Sequence, residues 1–411
     1  MTPGATILGA DFAAATCTSA PADIIVDPAG GPNSVPTLQA AVDRSTAMTS
    51  LRRVTIELAP GEHAGPVVIP RAGPALMIRG RLGAPHPVLY ANIDAQMPGT
   101  EYDARFGAGF ADAHPASRAI HARIAAETVI GTHHSAVLRV ERDDTWLSGV
   151  AIRNTYNCDR AAAAPKGAIP DATGRYGEGQ HQAVALHLAG ADRLSAHDLQ
   201  LTSWQDTLYL QGSGRARLTD CQIVGDVDFI FGGARALFQN CDIVTRTARA
   251  QRTWALAPCT AIDAAHGFVL QDCRFTDDGP KVGQHFLGRQ WFEGVRATPY
   301  GIPTLPGYQV MIGQTSAFDG VKGTISQHTL EAVGKARLEG CSLGTHIDPA
   351  VPWDNWNGHK WSPRFRPVQR HVGDFLYFLR DWLSEQDLNY SHIDHKEEWL
   401  SIICPQDPEH S

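Results

Sequence analysis

One short stretch, LTDCQI at residues 218–223, recurs in altered form along the chain. Its pattern is an apolar residue, a small or medium residue three positions later, and another apolar residue two positions after that. The starts at Leu194, Leu218 and Phe238 follow one another at nearly regular intervals. The gap after Leu147 is about twice as long and suits two coils, and the gaps after Phe238 and Leu270 require inserted loops. The segments that share the pattern are 147–152, 194–199, 218–223, 238–243, 270–275 and 338–343.

A repeat of this length with short strand-like pieces and no helix in each unit is typical of a parallel β-solenoid. We therefore predict an all-β fold, a single-stranded right-handed parallel β-helix, in which equivalent residues stack about 4.8 Å apart along the axis. The cysteines of four repeats would form an internal ladder of small apolar groups. One coil spacing also permits a disulfide bond between Cys221 and Cys241, and the sequence leaves that bond open. The ladder consists of Cys221, Cys241, Cys273 and Cys341.

The chain divides into three predicted regions: an N-terminal extension at 1–23, the β-helix domain at 24–358, and a C-terminal extension at 359–411. A short helix at 37–49 has apolar residues on one face and would cap the open N-terminal end of the solenoid. Within the C-terminal extension, an amphipathic helix at 374–383 is predicted to pack against the coil.

Several stretches lack the repeat pattern. The polar and acidic residues from 385 onward are predicted to form a loose tail. Long surface loops are predicted at 91–125, 158–179 and 293–320, and long loops on a rigid coil usually shape a binding groove.

The composition excludes several functions. With 411 residues, 43% of them hydrophobic and 19% charged, the chain has no apolar run near the roughly 20 residues that a membrane span needs. Its net charge of −8 disfavours nucleic acid or an anionic membrane surface as a partner. No C-x-x-C or H-E-x-x-H motif occurs, so we expect no metal and no cofactor. The N-terminus lacks the pattern of a signal peptide, and the protein is expected to be a monomer.

Two aspartates occupy nearly the same place on consecutive repeats. Asp206 follows Leu194 at nearly the same distance at which Asp228 follows Leu218. Two carboxylates about one coil apart cannot easily both ionise, so one should keep its proton and the other its charge. Such a pair provides an acid and a nucleophile or base. Asp226 is a rival to Asp228, because it lies on the same strand face.

Around these aspartates the sequence resembles the pectin methylesterase (pectinesterase) family. The similarity runs from about residue 24 to residue 358, and four blocks occur in the order of the family's signature motifs. They are Gln182-Ala183-Val184-Ala185-Leu186, Gln205-Asp206-Thr207-Leu208-Tyr209, Asp228-Phe229-Ile230-Phe231-Gly232 and Leu287-Gly288-Arg289-Gln290-Trp291. The resemblance implies an esterase that removes methyl groups from galacturonate units of pectin or its oligomers, with a methyl-esterified polyuronate as its partner.

The resemblance also implies a role for each matching residue. Asp228 corresponds to the nucleophile that attacks the ester carbonyl, and Asp206 to the general acid and base. Gln182 and Gln205 correspond to the amides that bind the oxyanion. Arg289 corresponds to the arginine that orients the nucleophile and keeps it ionised, which suits the weak nucleophilicity of a carboxylate.

Three aromatic residues match positions that line the family's substrate groove: Tyr209, Phe231 and Trp291. Sugar rings pack their C–H faces on aromatic planes, although ordinary burial also explains such residues. The sequence departs from the family at Gln290, where proline is usual, and at Gly61-Glu62-His63-Ala64-Gly65, where a G-x-Y-x-E pattern is expected. These departures indicate a divergent bacterial, envelope-associated branch, and thus a secreted, periplasmic or outer-envelope location.

Other functions remain as alternatives. An esterase or thioesterase for a non-pectin ester, or a non-catalytic saccharide-binding β-helix protein, would fit the same fold. A lyase or glycosidase of this fold would cut the polymer, whereas an esterase releases methanol without shortening it. No G-x-S-x-G motif indicates a serine esterase.

Overall fold

A computed structural model describes residues 7–9, 11–12, 21–280, 283–292, 309–311, 324–358, 365–381 and 388–403. Within these residues the paired strands run parallel, and they form three faces along one axis. The predicted parallel β-helix is confirmed. Few helices accompany it.

The first face contains the strands whose register carries the repeat. Each strand of this face pairs with the strand of the next coil, in sequence order. They are β1 (Ile24–Val26), β3 (Val54–Leu58), β6 (Leu76–Gly80), the first half of β9 (Thr145–Asn154), the first half of β11 (Leu194–Thr202), β13 (Arg215–Thr219), β16 (Arg235–Gln239), β19 (Phe268–Gln271), β24 (Ala336–Glu339) and β27 (Leu400–Ile403).

The second face continues from the first because β9 and β11 are long enough to cross the corner between them. Its shorter strands stack in the same order. They are β4 (Glu62–Ala64), β7 (Val88–Ala91), β14 (Gln222–Gly225), β17 (Asp242–Thr245), β20 (Arg274–Asp277) and β25 (Ser342–Leu343).

The third face is a separate sheet of eight strands. It consists of β5 (Val67–Ile69), β8 (Leu138–Val140), β10 (Leu186–Ala189), β12 (Leu208–Gln211), β15 (Ile230–Gly232), β18 (Arg252–Pro258), β21 (Gln284–Arg289) and β26 (Trp353–Asp354). Three short strands complete the set: β2 (Ser34–Val35), β22 (Gln309–Met311) and β23 (Thr324–Ser326).

Strand pairing corrects one predicted repeat. Leu147 pairs with Ala196, and Ala196 pairs with Leu218, so the segment at 194–199 is out of register by two residues. The gap between the first two repeats is therefore one coil with a large insertion, not two coils. The remaining stack, from Leu218 through Phe238 and Leu270 to Leu338, agrees with the prediction.

The cysteine ladder lies in the hydrophobic core as predicted. All four thiols are free, including those of Cys221 and Cys241, so the disulfide bond that the coil spacing permits is not formed. Contacts between neighbouring thiols, together with burial, raise the pKa of Cys241 above its ordinary value. The ladder therefore fills the core as small apolar groups.

The N-terminal end is capped by helix α1 (Leu38–Thr46), close to the predicted range. The hydroxyl of Thr37 accepts a hydrogen bond from the Ala40 N–H and starts the helix. Leu38 belongs to the core. Gln39, 5% exposed, fixes the helix to the third face because its amide exchanges hydrogen bonds with the backbone of Val68.

The stretch 91–125, predicted as a surface loop, contains helices α2 (Gly99–Phe106) and α3 (Pro115–Ala125) and a 3₁₀ turn at Gly107–Phe110. The prediction was wrong there, because Tyr102 and Ile124 carry an apolar face into the main core. The loop at 158–179 is largely irregular, with a 3₁₀ turn at Ala161–Ala163. The predicted loop at 293–320 falls outside the described residues, except for β22.

The C-terminal extension is more ordered than predicted. After the short helix α4 (Gln327–Glu331), helix α5 (Val372–Leu379) packs in its own cluster with Leu330, Tyr390 and Trp399. Strand β27 pairs with β24 and adds a further strand to the first face, so the predicted loose tail is wrong for 388–403. Trp382, predicted on the helix, lies outside the described residues. The three-region division stays a prediction.

Among the described residues, no helix is long and apolar enough to cross a membrane.

Candidate active site

The two aspartates lie at one corner of the coil, where the second face turns into the third. The Asp206 N–H donates to the Val227 carbonyl at 3.0 Å, and the strands that follow pair Leu208 with Ile230. Asp206 and Asp228 therefore hold equivalent positions on adjacent coils. Both have left-handed backbone, with φ of 67° and 48°, a conformation that aspartate tolerates better than most residues.

Arg289 comes from the end of β21, two coils beyond β15 on the third face. Its Nε and Nη2 donate to the two carboxylate oxygens of Asp228 at 2.8 and 2.7 Å. The guanidinium also lies 3.6 Å above the ring centroid of Trp254. The Trp254 indole N–H is held in turn by Asp354 at 3.0 Å. The arginine is thus fixed on two sides, and its two hydrogen bonds orient the carboxylate that it binds.

The protonation of the other aspartate is set by its surroundings. Burial raises the pKa of Asp206 well above its ordinary value, and the nearby Asp228 carboxylate raises it further, while Arg289 opposes the shift. Asp206 is 7% exposed. It therefore favours its protonated form, as expected for one of two stacked carboxylates. It can donate a proton to a molecule at the surface beside Asp206, Asp228 and Arg289, which is hereafter called the cleft.

The two glutamines meet across neighbouring coils, where Gln182 and Gln205 form a parallel bridge. The side-chain oxygen of Gln205 accepts a hydrogen bond from the His181 backbone N–H at 3.2 Å, which leaves its NH₂ group as a donor. Gln182 donates one hydrogen bond to Gln180 at 2.9 Å, so a second N–H remains. Gln205 immediately precedes Asp206 in the chain, so the backbone of both glutamines lies at the corner that carries the aspartates.

The predicted aromatic residues form one cluster on the outer side of the third face. Tyr209 stacks on Phe231 with ring centroids 4.2 Å apart. Trp291, which is partly exposed, places its ring nearly perpendicular to both. His187, which sequence reasoning missed, stacks on the other side of Tyr209 at 4.3 Å, and its burial lowers its pKa well below the ordinary value. Since Tyr209 and Phe231 are almost fully buried, Trp291 offers the most open surface to a sugar.

The structure distinguishes Asp226, the alternative candidate for the nucleophile, from Asp228. Asp226 is fully buried and accepts two hydrogen bonds from Arg249, at 2.6 and 2.8 Å. This pair lies beneath the cleft beside Cys158, whose pKa burial raises to about 12. Neither Arg249 nor Trp254 was singled out from the sequence, since neither lies in a recognisable motif.

Among the described residues, no group of three or more His, Cys, Asp or Glu side chains could hold a metal ion. The polar groups that meet at this corner are two carboxyls, two amides and a guanidinium. Such a set can supply a charged nucleophile, a proton donor and hydrogen-bond donors for an oxyanion.

The fold places this chain among the parallel β-helix proteins, and comparison with known proteins narrows that class. The model of the Pectinesterase family matches residues 153–298, the segment that contains all five predicted catalytic residues. A pectinesterase of Sitophilus oryzae is 28% identical over 313 residues, which are 74% of this chain and 76% of that protein. Pectinesterase B of Dickeya dadantii (strain 3937) is 30% identical over 273 residues, 62% of this chain and 58% of that protein.

The solved structure of rice weevil pectin methyl esterase has a TM-score of 0.65 and 24% sequence identity to this chain, and the alignment covers 87% of this chain and 86% of that one. It supports the fold. The chain is similar to the pectinesterase family, whose members are carboxylic ester hydrolases. The resemblance seen in the four sequence blocks is confirmed.

Proposed function

We propose that this protein is a pectin methylesterase, which hydrolyses the methyl esters of galacturonate units in pectin or its oligomers and releases methanol. The observation that carries the proposal is the geometry of three ionisable groups: Asp228 is held by two donors of Arg289, and Asp206 lies one coil away. The two relatives named above are both pectinesterases, which supports the same substrate class.

In the first step the ionised Asp228 attacks the ester carbonyl carbon, and the carbonyl oxygen becomes an oxyanion. The NH₂ groups of Gln182 and Gln205 donate hydrogen bonds to that oxygen, which neutral amides can do without neutralising the nucleophile. Asp206 gives its proton to the departing methoxyl oxygen. Methanol leaves, and the galacturonate is joined to Asp228 as an acyl-enzyme anhydride.

In the second step Asp206, now ionised, takes a proton from a water molecule, and the water oxygen attacks the galacturonate carbonyl carbon. The bond to Asp228 breaks, so the free galacturonate carboxyl leaves and both aspartates return to their starting states. Arg289 stabilises the carboxylate of Asp228 at the start and at the end of this cycle. Trp291, with Tyr209 and Phe231 behind it, provides an apolar surface for a sugar ring.

The location and the branch of the family belong to the same proposal. The departures at Gln290 and at 61–65 support a divergent bacterial branch, and a secreted, periplasmic or outer-envelope location suits a polymeric cell-wall substrate. The monomeric state also stays a prediction.

Methanol release and viscosity, measured together on highly methylated pectin, test the proposal. We expect methanol to accumulate while the viscosity stays constant, because only ester bonds break. A fall in viscosity would indicate a lyase or glycosidase instead. Parallel assays on methylated oligogalacturonates, simple methyl esters and acyl thioesters decide the substrate class, and faster turnover of a non-pectin ester would overturn the pectin assignment.

A further inference from the structure

The residue between Arg289 and Trp291 is a buried glutamine that faces away from the cleft. Arg289 reaches Asp228 and Trp291 contacts the aromatic cluster, whereas Gln290 is 3% exposed and bonds to backbone groups behind the strand. Adjacent residues of an extended chain point to opposite sides. The contacts of Gln290 therefore hold Arg289 and Trp291 from the side of the strand opposite the cleft.

The side-chain amide of Gln290 both accepts and donates hydrogen bonds. Its side-chain oxygen accepts from the Gln369 N–H at 2.7 Å, and its NH₂ group donates to the Gln369 carbonyl at 2.8 Å. The second N–H donates to the Gly334 carbonyl at 2.8 Å. The amide thus pairs with the backbone of residue 369 as a neighbouring strand would, and both of its N–H groups and its oxygen form hydrogen bonds.

Gln369 belongs to the C-terminal extension, which is itself fastened to the coil. Arg366 donates to the carbonyls of Ala332 and Leu330 and lies 3.6 Å from the ring centroid of Phe292, the residue after Trp291. At the other end of this segment, the Trp399 N–H donates to the Arg370 carbonyl at 2.7 Å. The segment at 366–370 is therefore attached to its neighbours at both ends, and through Gln290 it can restrict the movement of the end of β21.

We propose that Gln290 is a positioning residue, through which the C-terminal extension holds Arg289 on Asp228 and Trp291 on the aromatic cluster. This inference rests on the proposed esterase function of that site. Removing the amide would leave a buried N–H and two carbonyls without partners. The end of β21 would then relax, and a displacement of about 1 Å in a catalytic group can cost about 100-fold in rate.

The chain offers a matched control at its opposite end. Gln39, 5% exposed, makes the same two-way contact with the backbone of Val68, at 2.8 and 3.3 Å. It holds α1 on the N-terminal end and touches none of the five catalytic candidates. Gln39→Met and Gln290→Met therefore remove the same type of contact, and methionine preserves most of the volume.

The experiment measures kcat and KM for methanol release, the melting temperature, and hydrogen–deuterium exchange of the peptide at 284–292. For Gln290→Met we expect kcat to fall about 10- to 100-fold and exchange at 284–292 to increase. Gln39→Met should lower the melting temperature while kcat and that exchange stay at wild-type values. A Gln290→Met protein with wild-type kcat and unchanged exchange would overturn the proposal.

A second variant and a measurement without substrate distinguish failure of this inference from failure of the proposed function. If Gln290→Met does not fold, Gln290→Asn keeps a neutral amide on a side chain one methylene shorter and must show the same changes in a weaker form; wild-type values there would reject the inference. If the wild-type protein releases no methanol from any methyl ester, the proposed function fails. The exchange data, which need no substrate, still decide whether Gln290 holds the strand.

Discussion

Two aspartates on one turn of the coil each bind an arginine from a later coil, and the two pairs differ chiefly in their exposure. Asp228 and Arg289 have side chains that are 11% and 12% exposed, with bonds of 2.7 and 2.8 Å. Asp226 and Arg249 are 0% and 2% exposed, with bonds of 2.6 and 2.8 Å. The same chemistry is therefore present once at the surface of the cleft and once beneath it.

The difference in exposure between the two pairs indicates which pair can act on a substrate and which pair is structural. A fully buried pair has no room for a substrate. Arg249 also donates to the Gly177 carbonyl at 3.3 Å, so this pair connects the loop at 158–179 to the coil. A pair at the cleft keeps one side of its carboxylate open. Asp206 has no ion-pair partner of its own in the described part of the chain, and both pairs act on its pKa.

The strongest test of this comparison is Asp228→Asn. Methanol release should fall by at least about 10³-fold, because removal of a covalent nucleophile leaves only binding and oxyanion stabilisation. The melting temperature should change little, since asparagine still accepts a hydrogen bond from Arg289. Initial rates and thermal denaturation on the same preparation provide the check, and near-normal rates would move the nucleophile elsewhere.

Asp206→Asn should separate activity from stability. Loss of the general acid lowers the rate by about 10²–10⁴-fold. Because the pKa of Asp206 is raised in the folded state, folding holds the proton more tightly than the unfolded chain does. The wild-type protein therefore loses free energy of unfolding as pH rises from about 3.9 toward the folded-state pKa.

Asparagine has no proton to lose, so the variant should gain melting temperature over the wild type across that pH window, with the difference growing as pH rises. Thermal denaturation at a series of pH values measures it. A variant that is less stable than the wild type at every pH would show that the carboxyl group is not strained by its surroundings.

Asp226→Asn should have the reverse effect of Asp228→Asn. Arg249 would remain buried without a charged partner, which typically costs about 3–5 kcal/mol in the free energy of unfolding. The folded fraction should keep a kcat within a few-fold of the wild-type value. Urea denaturation and kinetics below the unfolding transition test both statements; a loss of kcat without a loss of stability would exchange the roles of the two aspartates.

The sequence misplaced one repeat and two segments for definite physical reasons. The run at 194–199 fits the apolar pattern as well as the run that starts at Ala196 does, and only the pairing of Ala196 with Leu147 and Leu218 distinguishes them. The helices at 91–125 were missed because glycine and proline interrupt the stretch, and these residues favour turns. Their apolar side chains find partners only on the end of the coil. Likewise, strand β27 is short, lies among polar neighbours and is stabilised by β24.

The sequence alone determined that this chain winds into a parallel coil and that Asp206 and Asp228 share one corner of it, because a nearly constant coil length places residues of equal phase on top of one another. It also carried four blocks that resemble the signature motifs of pectinesterases. Only the tertiary structure decided which arginine binds which aspartate, and that Gln290 is fastened to the C-terminal extension. Those contacts join residues that are 61, 23 and 79 positions apart, and no local pattern encodes contacts across such separations.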